Sequence, residues 1–301
     1  MSVSVGRASR IGDLTATVAD YVALTKPRVV SLLVVTGVCG YLAGAAGHVQ
    51  IAVLLAVAGG GALAAGGANA LNCAFDRDLD AVMARTRSRP IPDGRIPIQH
   101  AVVLGVAMNV VAGIWLTRSA NLLAAALALA GTAWYLGVYT AWLKRRSTQN
   151  IVIGGAAGCF PPLVGWAAAT GGLDATALTL AAVIFLWTPP HFWALATLLR
   201  RDYRRANIPM LPAVISVKRT ANQAFVYAVA TVVVSLGPAL WNGASAVYTA
   251  SAAGLGGLFV WRAEAFRRDA DTATARRLFR YSLVYLAALF AALVVDRMIA
   301  A

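Results

Sequence analysis

Long apolar stretches alternate with short polar connections along most of this chain. A helix needs about 17–25 predominantly apolar residues to cross a bilayer. Nine stretches meet that length, near 29–47, 51–75, 99–117, 121–142, 151–170, 175–199, 221–241, 245–261 and 279–296. The pattern predicts an all-α integral membrane protein with nine transmembrane helices. Residues 1–28 would form a cytoplasmic N-terminal segment, and residues 29–301 one polytopic domain.

The composition supports the same class of protein. Of the 301 residues, 59% are hydrophobic and 13% are charged, which is roughly half the charged fraction of a typical soluble domain. Cys39, Cys73 and Cys159 lie singly within predicted spans. Neither a disulfide nor a zinc site is therefore expected, and small packing residues are the simpler interpretation.

The basic residues indicate how the chain is oriented. A net charge of +14 would suggest nucleic acid in a soluble protein, but here the 26 Lys and Arg residues lie in or beside the connections. With nine spans, all of them except Arg118 and Arg297 fall on one side. Cytoplasmic loops carry the excess of Lys and Arg. We therefore expect no nucleic acid partner, a cytoplasmic N-terminus, an external C-terminus, and a place in the cell (inner or plasma) membrane.

Two connections on the basic side are long, from about 76 to 98 and from about 200 to 220. Each follows an even-numbered span, and the two spans are four apart. Paired halves around a shared site are common in membrane folds. The spacing suggests two related four-helix units.

An acidic cluster ends the second predicted span. Asn72, Asp76 and Asp80 are spaced four residues apart, which places them on one helix face, whereas Asp78 points elsewhere. Their oxygens would repel one another without a cation, and few hard oxygen ligands suit Mg²⁺ bridging to a substrate phosphate. The alternative is a solvated helix end at the membrane surface.

This segment resembles the NxxxDxxxD signature of the UbiA-type intramembrane prenyltransferases. Further stretches resemble the heme O synthase branch of that family, at 24–28, 80–96, 139–146, 150–155, 161–166 and 187–193. The resemblance covers residues from about 21 to 215. It implies a central cavity between the helices, and that Asn72, Asp76 and Asp80 bind Mg²⁺ carrying a prenyl diphosphate.

A second acidic motif is shorter here than in many family members. Asp202 is retained, but Ala206 stands where quinone-type enzymes carry another Asp. The heme O synthase version is similar, and it implies Asp202 as a further metal ligand and catalytic residue. A salt bridge from Asp202 to Arg201 or Arg205 is the alternative. Asn207 stands where that version has Gly, and Asn tolerates a left-handed backbone, so we expect the turn to persist.

Basic residues near these motifs are candidate contacts for the diphosphate, because charge-assisted donors stabilise a leaving group that gains charge. Some would instead serve only as topology anchors. The candidates are Lys26, Arg28, Arg89, Lys144 and Arg145.

His191 follows Pro189 and Pro190 inside the sixth predicted span. Two prolines remove backbone donors and kink a helix. With Trp187, Phe192 and Trp193 nearby, a kink would make a porphyrin-sized cavity. His191 would then face heme as an iron ligand or a polar contact. Alternatively, it satisfies a carbonyl freed by the prolines.

The resemblance implies a reaction and its partners. Farnesyl would pass from farnesyl diphosphate to a vinyl group of heme b, with addition of water, giving heme O and diphosphate. Mg²⁺ would be the cofactor, the lipid bilayer the environment, and a heme A synthase the downstream partner.

Two other functions stay open at this point. A sister enzyme of quinone or chlorophyll synthesis would use another aromatic acceptor, although such enzymes normally carry the fuller second motif. A cation-coupled transporter would suit helices broken near Pro161 and Pro189. Its acidic residues, however, should lie near the membrane midplane rather than at a helix end.

Overall fold

The computed structural model describes residues 17–241 and 244–300. The described part is helical and contains no strand. Its long helices, in chain order, are α1 (Pro27–Ala45), α2 (Ile51–Phe75), α3 (Ile98–Ser119), α4 (Leu122–Leu143), α5 (Asn150–Thr170), α6 (Ala175–Leu198), α7 (Val217–Leu240), α8 (Ala246–Asp269) and α9 (Thr272–Ile299). Short helices at Arg77–Val82, Arg200–Arg205 and Leu211–Val214 lie in the connections. Arg7 and Arg10, two of the 26 basic residues in the charge argument, lie outside the described residues.

Within the described ranges, eight helices are long and apolar enough to cross a membrane. The prediction of an all-α, multi-pass integral membrane protein is confirmed. The ninth expected span, near 245–261, falls in α8, which has the necessary length but is not among the eight. Charged residues of its second half, including Glu264 and Arg267, account for its lower hydropathy. Helix α8 nevertheless belongs to the bundle, since Phe259 stacks on Tyr285 of α9 with ring centroids 4.7 Å apart.

The helices form a ring in which neighbours in sequence are mostly neighbours in space. Helix α2 packs on α1 and α3, α4 packs on α3 and α5, and α7 packs on α6 and α8. Helix α9 contacts both α6 and α1 and so closes the ring. The side chains that face inward from α1, α2, α4, α5, α6 and α9 line one cavity.

Helices α1 and α5 approach each other through glycines. A Cβ built at Gly165 would lie 1.9 Å from the carbonyl oxygen of Gly37, and one at Gly40 would lie 2.4 Å from that of Pro162. Small residues allow such backbone contact in lipid, where van der Waals packing drives helix association. We call Gly37, Gly40, Pro162 and Gly165 the α1–α5 seam.

Two departures from regular α-helix lie on the cavity side. The second half of α4, Trp134–Leu143, is a π-helix, and α5 contains a 3-10 turn at Gly155–Cys159. Helix α6, in contrast, stays α-helical through Pro189 and Pro190. Short π-helical segments inside α-helices frequently occur at functional sites.

The seam generates a test of the fold. We expect Gly165→Ala to lower the free energy of unfolding by about 1–3 kcal/mol, the usual cost of overpacking, because the methyl group would meet the backbone of α1. Thermal unfolding of the purified protein in detergent measures the change. Gly254→Ala on α8 is the matched control, because its Cβ would meet nothing within 4 Å. Equal unfolding midpoints for the two variants would contradict the close packing.

Candidate functional site

Asn72, Asp76 and Asp80 form a buried acidic triad where α2 ends. The backbone N–H of Asp76 donates to Asn72, and that of Asp80 donates to Asp76, at 2.9 and 2.8 Å. The helical spacing therefore continues through the junction between α2 and the helix Arg77–Val82. The side-chain amide of Asn72 donates to Oδ2 of Asp76 at 2.8 Å. All three residues are at most 4% exposed, so the alternative of a solvated helix end does not hold.

Each member of the triad has one cationic partner from a different segment. The Nζ of Lys26 lies 2.7 Å from Oδ1 of Asn72, and the Nζ of Lys144 lies 2.5 Å from Oδ2 of Asp76. Arg89 donates to Oδ2 of Asp80 at 2.7 Å. Three of the five basic residues selected from the sequence thus meet at the triad.

Lys26 is held in an uncommon backbone conformation. Its φ of 53° is left-handed, which is rare for a residue other than glycine, and the α region is disfavoured before Pro27. Burial lowers the pKa of its amine below the ordinary value. A strained residue is retained only where its surroundings enforce it, and here the enforced conformation delivers the amine to Asn72.

Thr140 sets the orientation of the Asn72 amide. Its hydroxyl donates to the carbonyl of Tyr135 at 2.8 Å, across the five-residue spacing of the π-helix. The hydroxyl oxygen can therefore only accept the N–H of Asn72, 3.0 Å away. Both amide hydrogens of Asn72 are engaged, by Thr140 and Asp76, so its oxygen faces Lys26. Sequence reasoning did not single out Thr140, because a π-helix has no evident local signal.

The donor set fits a divalent cation shared with a phosphate ligand. Oδ1 of Asp76 is buried and has no hydrogen-bond partner within the described part of the chain. A buried carboxylate oxygen without a partner is costly, and a cation would satisfy it. Among the described residues, no three His, Cys, Asp or Glu side chains cluster together. The oxygens of Asn72, Asp76 and Asp80 therefore suit Mg²⁺ that completes its shell with substrate oxygens and water.

Asp202 lies on the short helix that follows α6 and has no partner of its own among the described residues. It is half-buried on the helix Arg200–Arg205. In the described structure its carboxylate makes no side-chain hydrogen bond or ion pair, including the alternative pairs with Arg201 and Arg205. Burial raises the pKa of neighbouring Tyr203 to about 12, and the charges of Lys144 and Asp202 both act on that hydroxyl. The following turn has a left-handed Asn207 at φ 51°, as expected.

Two predicted diphosphate contacts are not brought to the triad. Arg28 is exposed, and its guanidinium makes no hydrogen bond or ion pair with a described residue. Arg145 instead pairs with Asp78 through two hydrogen bonds of 2.6 and 2.7 Å. These bonds lower the pKa of Asp78 to about 2. Arg145 also donates to the carbonyl of Phe75, so it ties the end of α4 to the end of α2.

The cavity lies below the triad and has a volume of about 540 Å³. Most of its lining is apolar. Asn69 and Tyr139, which line its upper part, lie one helical turn before Asn72 and immediately before Thr140. The charged centre and the apolar cavity are therefore adjacent parts of one site.

His191 lines the same cavity on the α6 side. Its ring stacks between Trp187 and Phe279, with centroids 4.2 and 4.8 Å away. Its Nδ1 lies 2.7 Å from the hydroxyl oxygen of Ser282 on α9, so it does not bind a carbonyl freed by the prolines. Sequence reasoning missed Phe279 and Ser282, since α9 matched the family only in hydropathy.

Of the three aromatic residues expected around His191, two line the cavity. Trp187 and Phe192 do so. Trp193 is fully buried and meets Tyr227 of α7 edge to face, with centroids 5.6 Å apart. Successive residues on a helix point in different directions, which accounts for the difference between Phe192 and Trp193.

Comparison with known proteins identifies close relatives. The sequence profile of the UbiA prenyltransferase family matches residues 33–290. The protoheme IX farnesyltransferase of Thermosynechococcus vestitus is 48% identical over 298 residues, covering 97% of this chain and 92% of that protein. The enzyme of the same name from Roseiflexus sp. is 49% identical over 280 residues, covering 93% of this chain. The chain spans about half the length of the Roseiflexus relative, 52%.

Two solved structures share the fold at low sequence identity. A digeranylgeranylglyceryl phosphate synthase superposes with a TM-score of 0.79 at 18% identity, covering 94% of this chain and 99% of the other. A UbiA homolog from Archaeoglobus fulgidus, bound to DMAPP and Mg²⁺, superposes with a TM-score of 0.65 at 14% identity. That comparison covers 91% of this chain and 99% of the homolog.

The triad generates a test of metal binding. We expect Asp76→Ala and Asp80→Ala each to weaken Mg²⁺-dependent binding of farnesyl diphosphate by about 100-fold or more, because losing even an outer partner of a metal ligand costs about 10–100-fold. Isothermal titration with and without Mg²⁺ measures the effect. Asp78→Ala is the matched control, since it breaks only an exposed pair, and such pairs contribute little. Similar affinities in all three variants would contradict the assignment of the triad as the metal site.

Proposed function

The chain belongs to the UbiA prenyltransferase family, and we propose that it transfers farnesyl from farnesyl diphosphate to a vinyl group of heme b. Water is added, and the products are heme O and diphosphate. The observation that carries the proposal is the buried triad with its three cations, directly above an apolar cavity lined by His191. The names of the relatives from Thermosynechococcus and Roseiflexus support heme b as the acceptor.

The reaction balances as an electrophilic addition. The bond between C1 of the farnesyl group and the bridging oxygen breaks, and its electron pair leaves with the diphosphate. The vinyl π electrons of heme b then form the new carbon–carbon bond to the allylic cation. Water adds to the carbon beside the porphyrin ring and loses a proton to solvent, which leaves a hydroxyethylfarnesyl group.

Asn72, Asp76 and Asp80 would hold Mg²⁺, with Asp202 as a further ligand. When bound, the metal supplies Lewis-acid withdrawal of charge from the diphosphate. Support comes from the unpartnered Oδ1 of Asp76 and from the unpaired carboxylate of Asp202. In the described structure Lys26, Arg89 and Lys144 bind oxygens of the triad. With Mg²⁺ held by those oxygens, the three cations would donate to the diphosphate and stabilise it as it gains charge.

The cavity would protect the reactive part of the substrate. An apolar, water-excluding wall limits capture of an allylic cation by water. Tyr135 and Tyr139 stack on each other with centroids 5.7 Å apart and line the cavity beneath the triad. Together with Trp187 and Phe192, these rings present π faces that attract a cation.

The triad face would lie at the cytoplasmic side of the cell membrane. Lys26, Arg89 and Lys144 come from three separate connections, and their meeting at the triad puts those connections on one face. Arg297 donates to the carbonyl of Ala43, near the opposite end of α1. The basic face is expected to be cytoplasmic.

Reporter fusions test this orientation. We expect fusions after residues 95, 145, 215 and 270 to report a cytoplasmic location, because all four positions lie within basic connections. Fusions near residues 119 and 172 and at the C-terminus should report an external location. Paired reporters that are active on opposite sides of the membrane provide the measurement. A cytoplasmic C-terminus would be incompatible with nine crossings and would indicate that α8 does not span the membrane.

The product tests the proposed acceptor. Purified protein incubated with heme b, farnesyl diphosphate and Mg²⁺ should yield hydroxyethylfarnesyl heme, detected by mass spectrometry. Omitting Mg²⁺ should abolish the product, and 4-hydroxybenzoate should remain unmodified in place of heme. Prenylated benzoate with unmodified heme would instead assign the chain to another acceptor within the same family.

A further inference from the structure

The hydrogen bonds of Ser282 determine which nitrogen of His191 carries a proton. Ser282 is fully buried on α9, and its hydroxyl donates to the carbonyl of Phe279 at 2.7 Å. The hydroxyl has only one hydrogen, so its oxygen can only accept from Nδ1 of His191. In the neutral imidazole Nδ1 is therefore protonated, and Nε2 carries the free lone pair.

The other ring nitrogen is left available to a ligand. Nε2 has no hydrogen-bond partner among the described residues, although His191 lines the cavity. A histidine with a purely structural role usually has its buried polar atoms hydrogen-bonded. Metal-binding histidines, in contrast, typically donate the N–H of one nitrogen to an acceptor while the other nitrogen binds the metal.

Neighbouring groups also fix the orientation of the His191 ring. Trp187 and Phe279 both pack against the ring, at interplanar angles of 17° and 30°. The indole N–H of Trp187 donates to the backbone carbonyl of Ser282 at 2.9 Å. Ser282 thus positions His191 through its hydroxyl and Trp187 through its carbonyl, and it joins α6 to α9 at the cavity wall.

We propose that Ser282 is a positioning residue that presents Nε2 of His191 as an axial ligand to the iron of a porphyrin in the cavity. The inference rests on the proposed function and deepens it. An axial bond is perpendicular to the macrocycle, so it holds the porphyrin at the α6–α9 wall without engaging its periphery. The vinyl edge stays free to meet the prenyl C1.

The experiment compares two porphyrins and three variants of the full-length protein. Ferric heme b and metal-free protoporphyrin IX are titrated into wild type, His191→Ala, Ser282→Ala and Ser235→Ala, and absorption spectra are recorded. Ser235 is the matched control, because it is also fully buried and donates to a carbonyl three residues earlier at 2.7 Å. It makes no hydrogen bond with His191.

We expect heme b to show a shifted Soret band with wild type and Ser235→Ala, and no such shift with His191→Ala. Ser282→Ala should weaken heme binding by about 10-fold or more, the usual cost of losing the partner that orients a ligand. Its KM for heme should rise while its KM for farnesyl diphosphate stays unchanged. Metal-free protoporphyrin IX should bind all four proteins equally.

A wild-type Soret band and heme affinity in Ser282→Ala would overturn the proposal. So would an equal loss of affinity for metal-free protoporphyrin IX, since packing rather than iron would then be affected. The proposed function fails separately. If wild type produces no farnesylated heme while its Soret shift still depends on Ser282, the ligand assignment stands and the reaction does not.

Discussion

The structure depends above all on compensating two carboxylates that are buried at the edge of the membrane. An unpaired charge is too costly to keep away from water. Asp76 and Asp80 are therefore matched by Lys144 and Arg89, and the oxygen of Asn72 by Lys26. These partners come from the start of α1, the connection after α2 and the end of α4. Pairing them draws the ends of three helices together and places the cations where a diphosphate would need them.

The site keeps its charged groups apart from its apolar surface, because the two would interfere with each other in one space. Charge is concentrated in the triad and its cations, whereas the cavity below it is mainly apolar. The π-helix of α4 joins the two, since Thr140 orients Asn72 while Tyr135 and Tyr139 line the cavity. The cavity can exist because the α1–α5 seam packs backbone against backbone, which lets these helices form one wall without side chains filling the space.

The amino-acid sequence alone determined the features that depend on local geometry. Hydropathy identified the membrane helices, because each span must carry its own apolar surface. The four-residue spacing identified the triad, because i and i+4 share a helix face. The left-handed turn at Asn207 could also be expected from its residue type. Hydropathy was least informative for α8, because this helix continues past the predicted span into a charged segment.

Only the tertiary structure decided which residues complete the site. Lys26 and Asn72 are 46 residues apart in sequence, Lys144 and Asp76 are 68 apart, and His191 and Ser282 are 91 apart. No local periodicity relates positions so distant, so the sequence could not distinguish Lys144 at the triad from Arg145 on Asp78, or from Arg28 on the surface. Helix packing selects these partners, because it alone determines which faces of α1, α4 and α9 turn inward.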